Sequence, residues 1–349
     1  MTRSIRVRFE DPELDWTAPG VFEIVPGLYR IPLPLPEDGL RAVNVYAYCD
    51  GDHIVLVDGG WALPLARERL RAALRALGFD LDQVRRVLVT HVHRDHYTLA
   101  VALRRDYPQL RVGLGRGERY SLSVAQDPTA PPWQDMLAQL RKGGAEREHR
   151  ELRAAAPPAH DPEDWADPDE WIDAPTQVAL TTATWQVLHT PGHTRGHVVF
   201  VDDERGVLFA GDHVLPHITP SIGFEVGPMG SPLADYLGSL RLVRSLPDRM
   251  LLPAHGPPGP SVHARVDELL RHHDNRLRRT ADAVRAGATT AYEVAHRLRW
   301  TRRERPFSDL DLLNRCLAVT ETMAHLDVLV ASGELTVHEH DHVRHYTPS

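Results

Sequence analysis

The chain has 349 residues, 42% hydrophobic and 25% charged, with 40 Lys+Arg against 48 Asp+Glu and a formal net charge of -8. That length is too great for one ordinary core and short for three, so one large domain with a small appendage is expected. The composition excludes disordered, collagen-like and coiled-coil chains. The charge excludes an electrostatic nucleic-acid binder over the whole surface, and no run approaches the ~20 apolar residues of a membrane span.

The amino-terminal stretch MTRSIRVRFEDPELDW scatters charge where a secretory signal needs a continuous apolar run. Cys49 and Cys316 are the two cysteines, far apart in the chain, which fits a reducing compartment without a disulfide framework. The expected location is cytoplasmic.

From Phe22 to Asp58 the sequence reads as strands broken by turns. Leu70, Leu74 and Leu77 then take helical spacing, with Gly78 placed to end the helix. A short apolar run, VRRVLVT, leads into HVHRDH and the helix-like YTLAVALRRDY. This alternation predicts a layered α/β architecture. Between about 115 and 175 the texture changes to Pro, Ala, Arg and Glu with the acidic DPEDWADPDEWID, a helical insertion read either as a lid or as a solvated excursion. Strands return in VALTTATWQVLHT, GHVVFVDD and GVLFAGD. The cluster GPPGPS at 256–261 reads as a boundary, dividing a catalytic domain of residues 1–260 from a domain of residues 261–349. The latter shows three helical stretches and a terminal hairpin pattern, the outline of a winged helix.

The strongest chemical signal is THVHRDH. Alternate residues of an extended chain point the same way, so His91 and His93 can converge on one metal, while Asp95 and His96 lie past the turn and can face another. With 21 histidines in the chain, a chance surface cluster is the alternative. Further along, TPGHTRGH offers His193, FAGDH offers Asp212 and LPAHGPP offers His255. Together with Asp58 in VDGG, and in this order, these motifs resemble the five motifs of the metallo-β-lactamase superfamily over roughly residues 20 to 260.

The resemblance implies an αββα sandwich with a dinuclear site at the edge of its two sheets. By position, His91, His93 and His193 match the ligands of a first metal, Asp95, His96 and His255 those of a second, and Asp212 the bridging carboxylate. Asp58 matches a residue that supports the site from behind. His197 and His213 stay ambiguous between orienting a ligand and simple burial as satisfied polar groups. Two divalent metal ions are implied, with zinc the family expectation and iron or manganese also suited to imidazole and carboxylate ligands. The implied chemistry is attack by a bridging hydroxide, with Asp95 orienting it and moving its proton. Asp95 and Asp58 are thus the expected catalytic residues.

The presence of Asp212 makes the set similar to glyoxalase II, lactonase and thioesterase members rather than to family β-lactamases, which generally lack that aspartate. The tail resembles the winged-helix extension of the β-lactamase-like protein 2 group, some of whose members are endoribonucleases. The expected function is therefore a metal-dependent hydrolase of a thioester, ester or lactone of a small acylated molecule. The alternatives are an endoribonuclease or phosphodiesterase that binds single-stranded nucleic acid through the winged helix, and a ligand-sensing regulator. Residues 261–349 carry 13 Arg and 13 Asp+Glu, leaving 27 Lys+Arg against 35 Asp+Glu in the rest. The basic stretches RHHDNRLRR and RWTRRER are the candidate nucleic-acid stripe, or else solvated faces. Trp165 and Trp171 either line an acyl pocket or pin the insertion to the body. Leu310, Leu313, Leu317, Leu326 and Leu329 fit an internal core or a homodimer interface. No membrane partner is expected.

Overall fold

Hydrophobic runs buried on both faces form the middle of two sheets, as in Ala42–Asp50 and Val198–Asp202, where nearly every side chain is inaccessible. The computed structural model describes residues 7–11, 13–36, 39–156, 161–223 and 230–349. Part of the charged amino-terminal stretch (1–6) and of the insertion (157–160) lies outside them.

The first sheet has eight strands in sequential order: β1 (Val7–Phe9), β2 (Val21–Val25), β3 (Leu28–Pro34), β4 (Ala42–Asp50), β5 (His53–Val57), β6 (Val84–Val89), β7 (Arg111–Gly115) and β8 (Glu170–Ile172). Strands β2 to β5 pair antiparallel, and β5 to β8 run parallel. Parallel neighbours need crossovers. Helices α1 (Pro64–Ala76) and α2 (Arg94–Asp106) supply the first two, and the insertion, with α3 (Arg119–Gln126), α4 (Gln134–Lys142) and α5 (Glu146–Ala154), forms the crossover from β7 to β8. The second sheet runs β13 (Met250–Pro253), β12 (Val207–Gly211), β11 (Val198–Asp202), β10 (Thr184–His189) and β9 (Thr176–Ala179), with α6 (Pro232–Ser245) crossing between parallel β12 and β13.

Helix α1 ends as its sequence predicts. Gly78 takes φ +86°, its N–H donates to the Arg75 carbonyl, and the Phe79 N–H donates to Leu74. That pair of bonds is a Schellman cap and satisfies two carbonyls the helix leaves open.

Tyr46, Tyr48, Val57, Trp185, Phe200 and Phe209 interdigitate between the sheets. Val43, Val45, Leu56 and Val87 pack outward against Leu70, Leu74 and Leu99 of α1 and α2. Val199, Val201 and Leu208 pack outward against Leu233, Tyr236 and Leu240 of α6 and Val266 and Leu269 of α7 (Val262–Arg285). The order helices, sheet, sheet, helices is an αββα sandwich, as expected.

After α7 come α8 (Ala291–Arg297), the two-residue strands β14 (Arg299–Trp300) and β15 (Arg305–Pro306), α9 (Leu312–Ala331) and a hairpin of β16 (Leu335–His340) and β17 (Val343–Pro348). Its core joins Val319, Met323 and Leu326 of α9 to Ala291 and Val294 of α8, and to Met136, Leu140 and Leu152 of the insertion. The insertion is therefore anchored to the C-terminal region, with Glu148, 1% exposed, accepting from Arg315 at 3.1 Å. Leu310, Leu326 and Leu329 are internal core and Leu313 is exposed. Trp165 and Trp171 pack against the α1/α2 face, so they pin the insertion to the body. The acidic stretch pairs with Arg104 and Arg105 of α2 and Arg111 of β7. Among the described residues no helix is long and apolar enough to cross a membrane.

A buried histidine pair links α7 to α9. His325 Nδ1 donates to the Glu321 carbonyl at 2.8 Å, which leaves Nε2 to accept from His273 Nδ1 at 3.2 Å. Burial holds both rings neutral, His325 down to about 3 and His273 well below its ordinary value. Below about pH 6.5 the unfolded chain takes up these protons while the folded chain does not. The pair's contribution is therefore complete above about pH 6.5 and is lost as pH falls towards 3. Urea midpoints between pH 7.5 and 5.0 should fall less steeply in a His273→Leu/His325→Leu variant, by up to about 1.4 kcal/mol per pH unit for each ring. Equal slopes would remove the pair from the acid response.

Candidate metal centre

The seven metal-ligand candidates all follow strands that end on one edge of the sandwich. His91, His93, Asp95 and His96 follow β6, His193 follows β10, Asp212 follows β12 and His255 follows β13. This is the edge where open α/β sheets place their sites.

Three nitrogens converge first. His91 Nε2 and His193 Nε2 lie 3.0 and 3.1 Å from His93 Nδ1. An ion ~2.0–2.1 Å from each nitrogen in tetrahedral geometry would separate them by about 3.3–3.4 Å, close to what is found. A single proton on His93 Nδ1 could serve only one of the two neighbours. Beside this triad, His255 Nε2 lies 3.3 Å from Asp95 Oδ2, and His96 Nε2 lies 3.6 Å from the same oxygen. Asp212 stands between the two groups: Oδ2 is 3.5 Å from His193 Nε2, while Oδ1 is 3.4 Å from His255 Nε2 and 3.7 Å from His96 Nε2. His96 Nε2, His255 Nε2 and Asp212 Oδ1 are buried without a hydrogen-bond partner among the described residues. Buried polar atoms are rarely left so, and three of them facing one point fit a divalent cation.

The opposite side of each ring is held. His193 Nδ1 donates to the Ser221 carbonyl at 2.9 Å, and His255 Nδ1 donates to the Ala42 carbonyl at 2.7 Å. A carbonyl only accepts, so Nδ1 keeps its proton and Nε2 is the atom turned inward to a cation. His96 Nδ1 lies 3.0 Å from Asp58 Oδ2. Asp58 Oδ1 also accepts from the Thr90 backbone N–H at 2.8 Å and its hydroxyl at 3.0 Å, and that hydroxyl lies 3.1 Å from His91 Nδ1. The carboxylate of Asp58 is thus taken up by Thr90 and His96. It stands behind the His96 ring, on the Nδ1 side.

Burial and His193 push His93 down to about 3, and burial with the neighbouring rings holds His91 well below its ordinary value. Burial disfavours charge on His96 too, but Asp58, Asp95 and Asp212 outweigh it and raise the ring to about 10. Burial opposes ionisation of Asp95, yet His96 and His255 hold it well below the usual carboxylate range. One half of the site offers neutral imidazoles. The other holds protons that a cation would displace.

Local packing fixes these positions. A Cβ on Gly59 would lie 2.7 Å from Ala100 Cβ and 2.8 Å from its nitrogen, so this glycine lets α2, with Asp95 and His96 in its first turn, seat against β5. Gly192, at φ +136°, lies so close to Tyr236 that a Cβ would come within 2.5 Å of its Cα, which seats the His193 turn on α6. His197 is fully buried. Its Nε2 accepts from the Asp212 N–H at 3.2 Å and its Nδ1 pairs with the Thr190 hydroxyl at 2.9 Å, so it positions the Asp212 backbone. His213 is equally buried, held neutral by that burial at about 3, and packs edge-on against Tyr236.

Three supporting residues escape the motif reading. Thr90 immediately precedes His91. Asn44 donates to the carbonyls of Pro253 and Gly256 at 3.0 and 2.8 Å, and the Tyr46 hydroxyl donates to Pro253 at 2.8 Å, tying the His255 loop to β4 of the other sheet. The only local signal is a polar Asn inside an apolar strand.

The family model for the metallo-β-lactamase superfamily matches residues 38–255. A probable metallo-hydrolase from Bacillus subtilis (strain 168) is 25% identical over 326 residues, covering 88% of this chain and 92% of the relative. An atrochrysone carboxyl ACP thioesterase from Aspergillus fumigatus is 25% identical over 221 residues, covering 63% of this chain and 39% of that protein. Among solved structures, a metallo-β-lactamase family protein from Thermus thermophilus is 28% identical with TM-score 0.74, covering 94% of this chain and 100% of its own. A β-lactamase domain protein from Burkholderia ambifaria is 28% identical with TM-score 0.77, covering 97% and 96%. On the family match and on the fold it shares with these structures, the chain belongs to the metallo-β-lactamase superfamily and is an enzyme of it.

Proposed function

We propose that this enzyme hydrolyses a carboxylic thioester of a small acylated molecule. The observation that carries the reading is the placement of Asp212, one oxygen towards His193 and the other towards His96 and His255. A mononuclear site has no use for a carboxylate shared in this way. Two divalent ions, zinc by family expectation, would be held by His91, His93 and His193 and by Asp95, His96 and His255 with Asp212 between them; they would polarise the carbonyl and lower the pKa of water.

The chain's own groups do the rest. Asp95 is ionised, and its side chain is 15% exposed against 9% for Asp212. It takes the proton of the attacking water at Oδ and returns it to the departing sulfur. Thr90, Asp58 and the Ser221 and Ala42 carbonyls keep the rings in register through that transfer. The thioester preference rests on the thioesterase-named relative. The terminal region, which we assign to a winged-helix-like domain of residues 261–349, serves as a cleft wall through residues of α7 and around β14.

An S-acyl thioester and a 5'-labelled single-stranded RNA, assayed in parallel with metal and with chelator, test this. Chelator-sensitive thioester turnover without RNA cutting is expected; metal-dependent RNA cutting without thioester turnover would replace the reading with a nuclease.

A further inference from the structure

One cavity of about 680 Å³ opens from His193 and Asp212 and runs between the sandwich and the C-terminal region. Its near wall is the segment from Leu215 to Ser221. Arg265 of α7 ties that segment down by donating to the Leu215 and Ile218 carbonyls at 2.6 and 2.9 Å, and its remaining charge is met by Glu268. The far wall is different. Arg276 and Arg279 of α7 and Arg299 and Arg302 around β14 all line it. RHHDNRLRR and RWTRRER, remote in sequence, thus meet in one cleft that also holds the candidate centre.

These guanidiniums are incompletely paired. Arg276 is 6% exposed and lies 3.8 Å over the Trp300 ring, with Nη1 donating to the Arg299 carbonyl at 2.7 Å and Nη2 buried without a partner among the described residues. Arg279 meets Glu304 only at 3.5 Å. No carboxylate among the described residues pairs with Arg299 or Arg302, which are exposed. Beyond Arg265, which Glu268 meets, four guanidiniums line the cleft with Glu304 and Glu321, while the third carboxylate, Asp212, stands at the candidate centre, in a chain whose net charge is -8. A positive cleft in an acidic protein is a local device for an anion. Planar, clustered guanidiniums suit phosphate best, and an Arg fixed by stacking on Trp300 loses little freedom on binding.

We propose that this arginine wall binds the phosphates of a phosphopantetheine-type thioester carrier, with the acyl carbonyl at the His193/Asp212 end of the same cavity. The inference rests on the thioesterase reading and names its substrate class. The gathering of these four arginines in one cleft that ends at His193 and Asp212 favours a compact phosphorylated carrier over RNA, which needs a basic stripe along its backbone.

The test is calorimetric titration of the full chain with coenzyme A and with pantetheine, which has the same thiol arm without phosphate. Alongside it, KM is measured for S-acetyl-coenzyme A, S-acetylpantetheine and an acetylated carrier protein. Coenzyme A should bind at least about tenfold more tightly than pantetheine, and Arg302→Ala and Arg299→Ala should each weaken it by about tenfold, the usual worth of one charge-assisted contact. Both variants are exposed, so folding is not at stake. The ratio of KM values between the coenzyme A ester and the pantetheine ester should move with the same variants. A phosphate effect on the carrier-protein ester but not on the coenzyme A ester would assign the phosphate to the protein's prosthetic arm. Equal affinity for coenzyme A and pantetheine together with equal KM values for all three esters, or RNA displacing coenzyme A from the wild-type cleft, would overturn the proposal. If no thioester turns over, the thioesterase reading fails by itself, and the titrations still decide whether the cleft holds phosphate.

Discussion

Asp212→Ala is expected to lower kcat/KM for a thioester on the order of 10³-fold and to reduce bound metal from about two ions per chain to one or fewer. The size follows from removing the one carboxylate that faces both halves of the centre, at 3.5 Å from His193 and 3.4 Å from His255. Holding a metal pair in place is worth several kcal/mol of transition-state stabilisation, and each 1.36 kcal/mol is a decade in rate. The structural cost is small by comparison. His197 bonds the backbone N–H of residue 212 rather than its side chain, so the turn keeps its anchor. Metal content by mass spectrometry, kcat/KM and far-ultraviolet circular dichroism check this together. A folded variant that keeps two ions and activity within tenfold of the parent would refute a shared carboxylate.

Asp58→Asn is the more selective change. The amide keeps one oxygen for the Thr90 N–H but turns a donor towards His96 Nδ1, which now sits 3.0 Å from a carboxylate oxygen. His96 then loses both its acceptor and the nearest charge that raises it. Removing such a partner behind a metal-binding histidine costs 10–100-fold in affinity. The loss should fall on the half formed by Asp95, His96 and His255. The other half feels Asp58 only through the Thr90 hydroxyl and His91. Competition with a chromogenic chelator should show one weakened and one nearly unaltered step. Equal weakening of both steps would place Asp58 in general stability rather than behind His96.

The seven ligand candidates were legible because each sits in a short pattern whose local geometry does most of the work. His91 and His93 alternate along an extended segment, Asp95 and His96 occupy the first turn of α2, and His193, Asp212 and His255 each follow a strand. The α/β layering and the end of α1 at Gly78 were likewise readable, since period and cap are properties of neighbours in sequence. The role of the insertion was not readable. Its fixation depends on Met136, Leu140 and Leu152 meeting α9, a contact set by how β7 and β8 pair.

The sequence by itself determined which side chains are available for metal and which strands deliver them, because those facts depend on spacings of a few residues. Tertiary structure alone decided that Asn44 holds the His255 loop across 209 and 212 positions of chain, and that Asp212 faces both halves at once. It alone decided that arginines from α7 and from the β14 turn share a cavity with the candidate centre. Such juxtapositions follow from sheet register and from how helices seat on the sheets, and those arise from the summed burial of many residues, none of which encodes them locally.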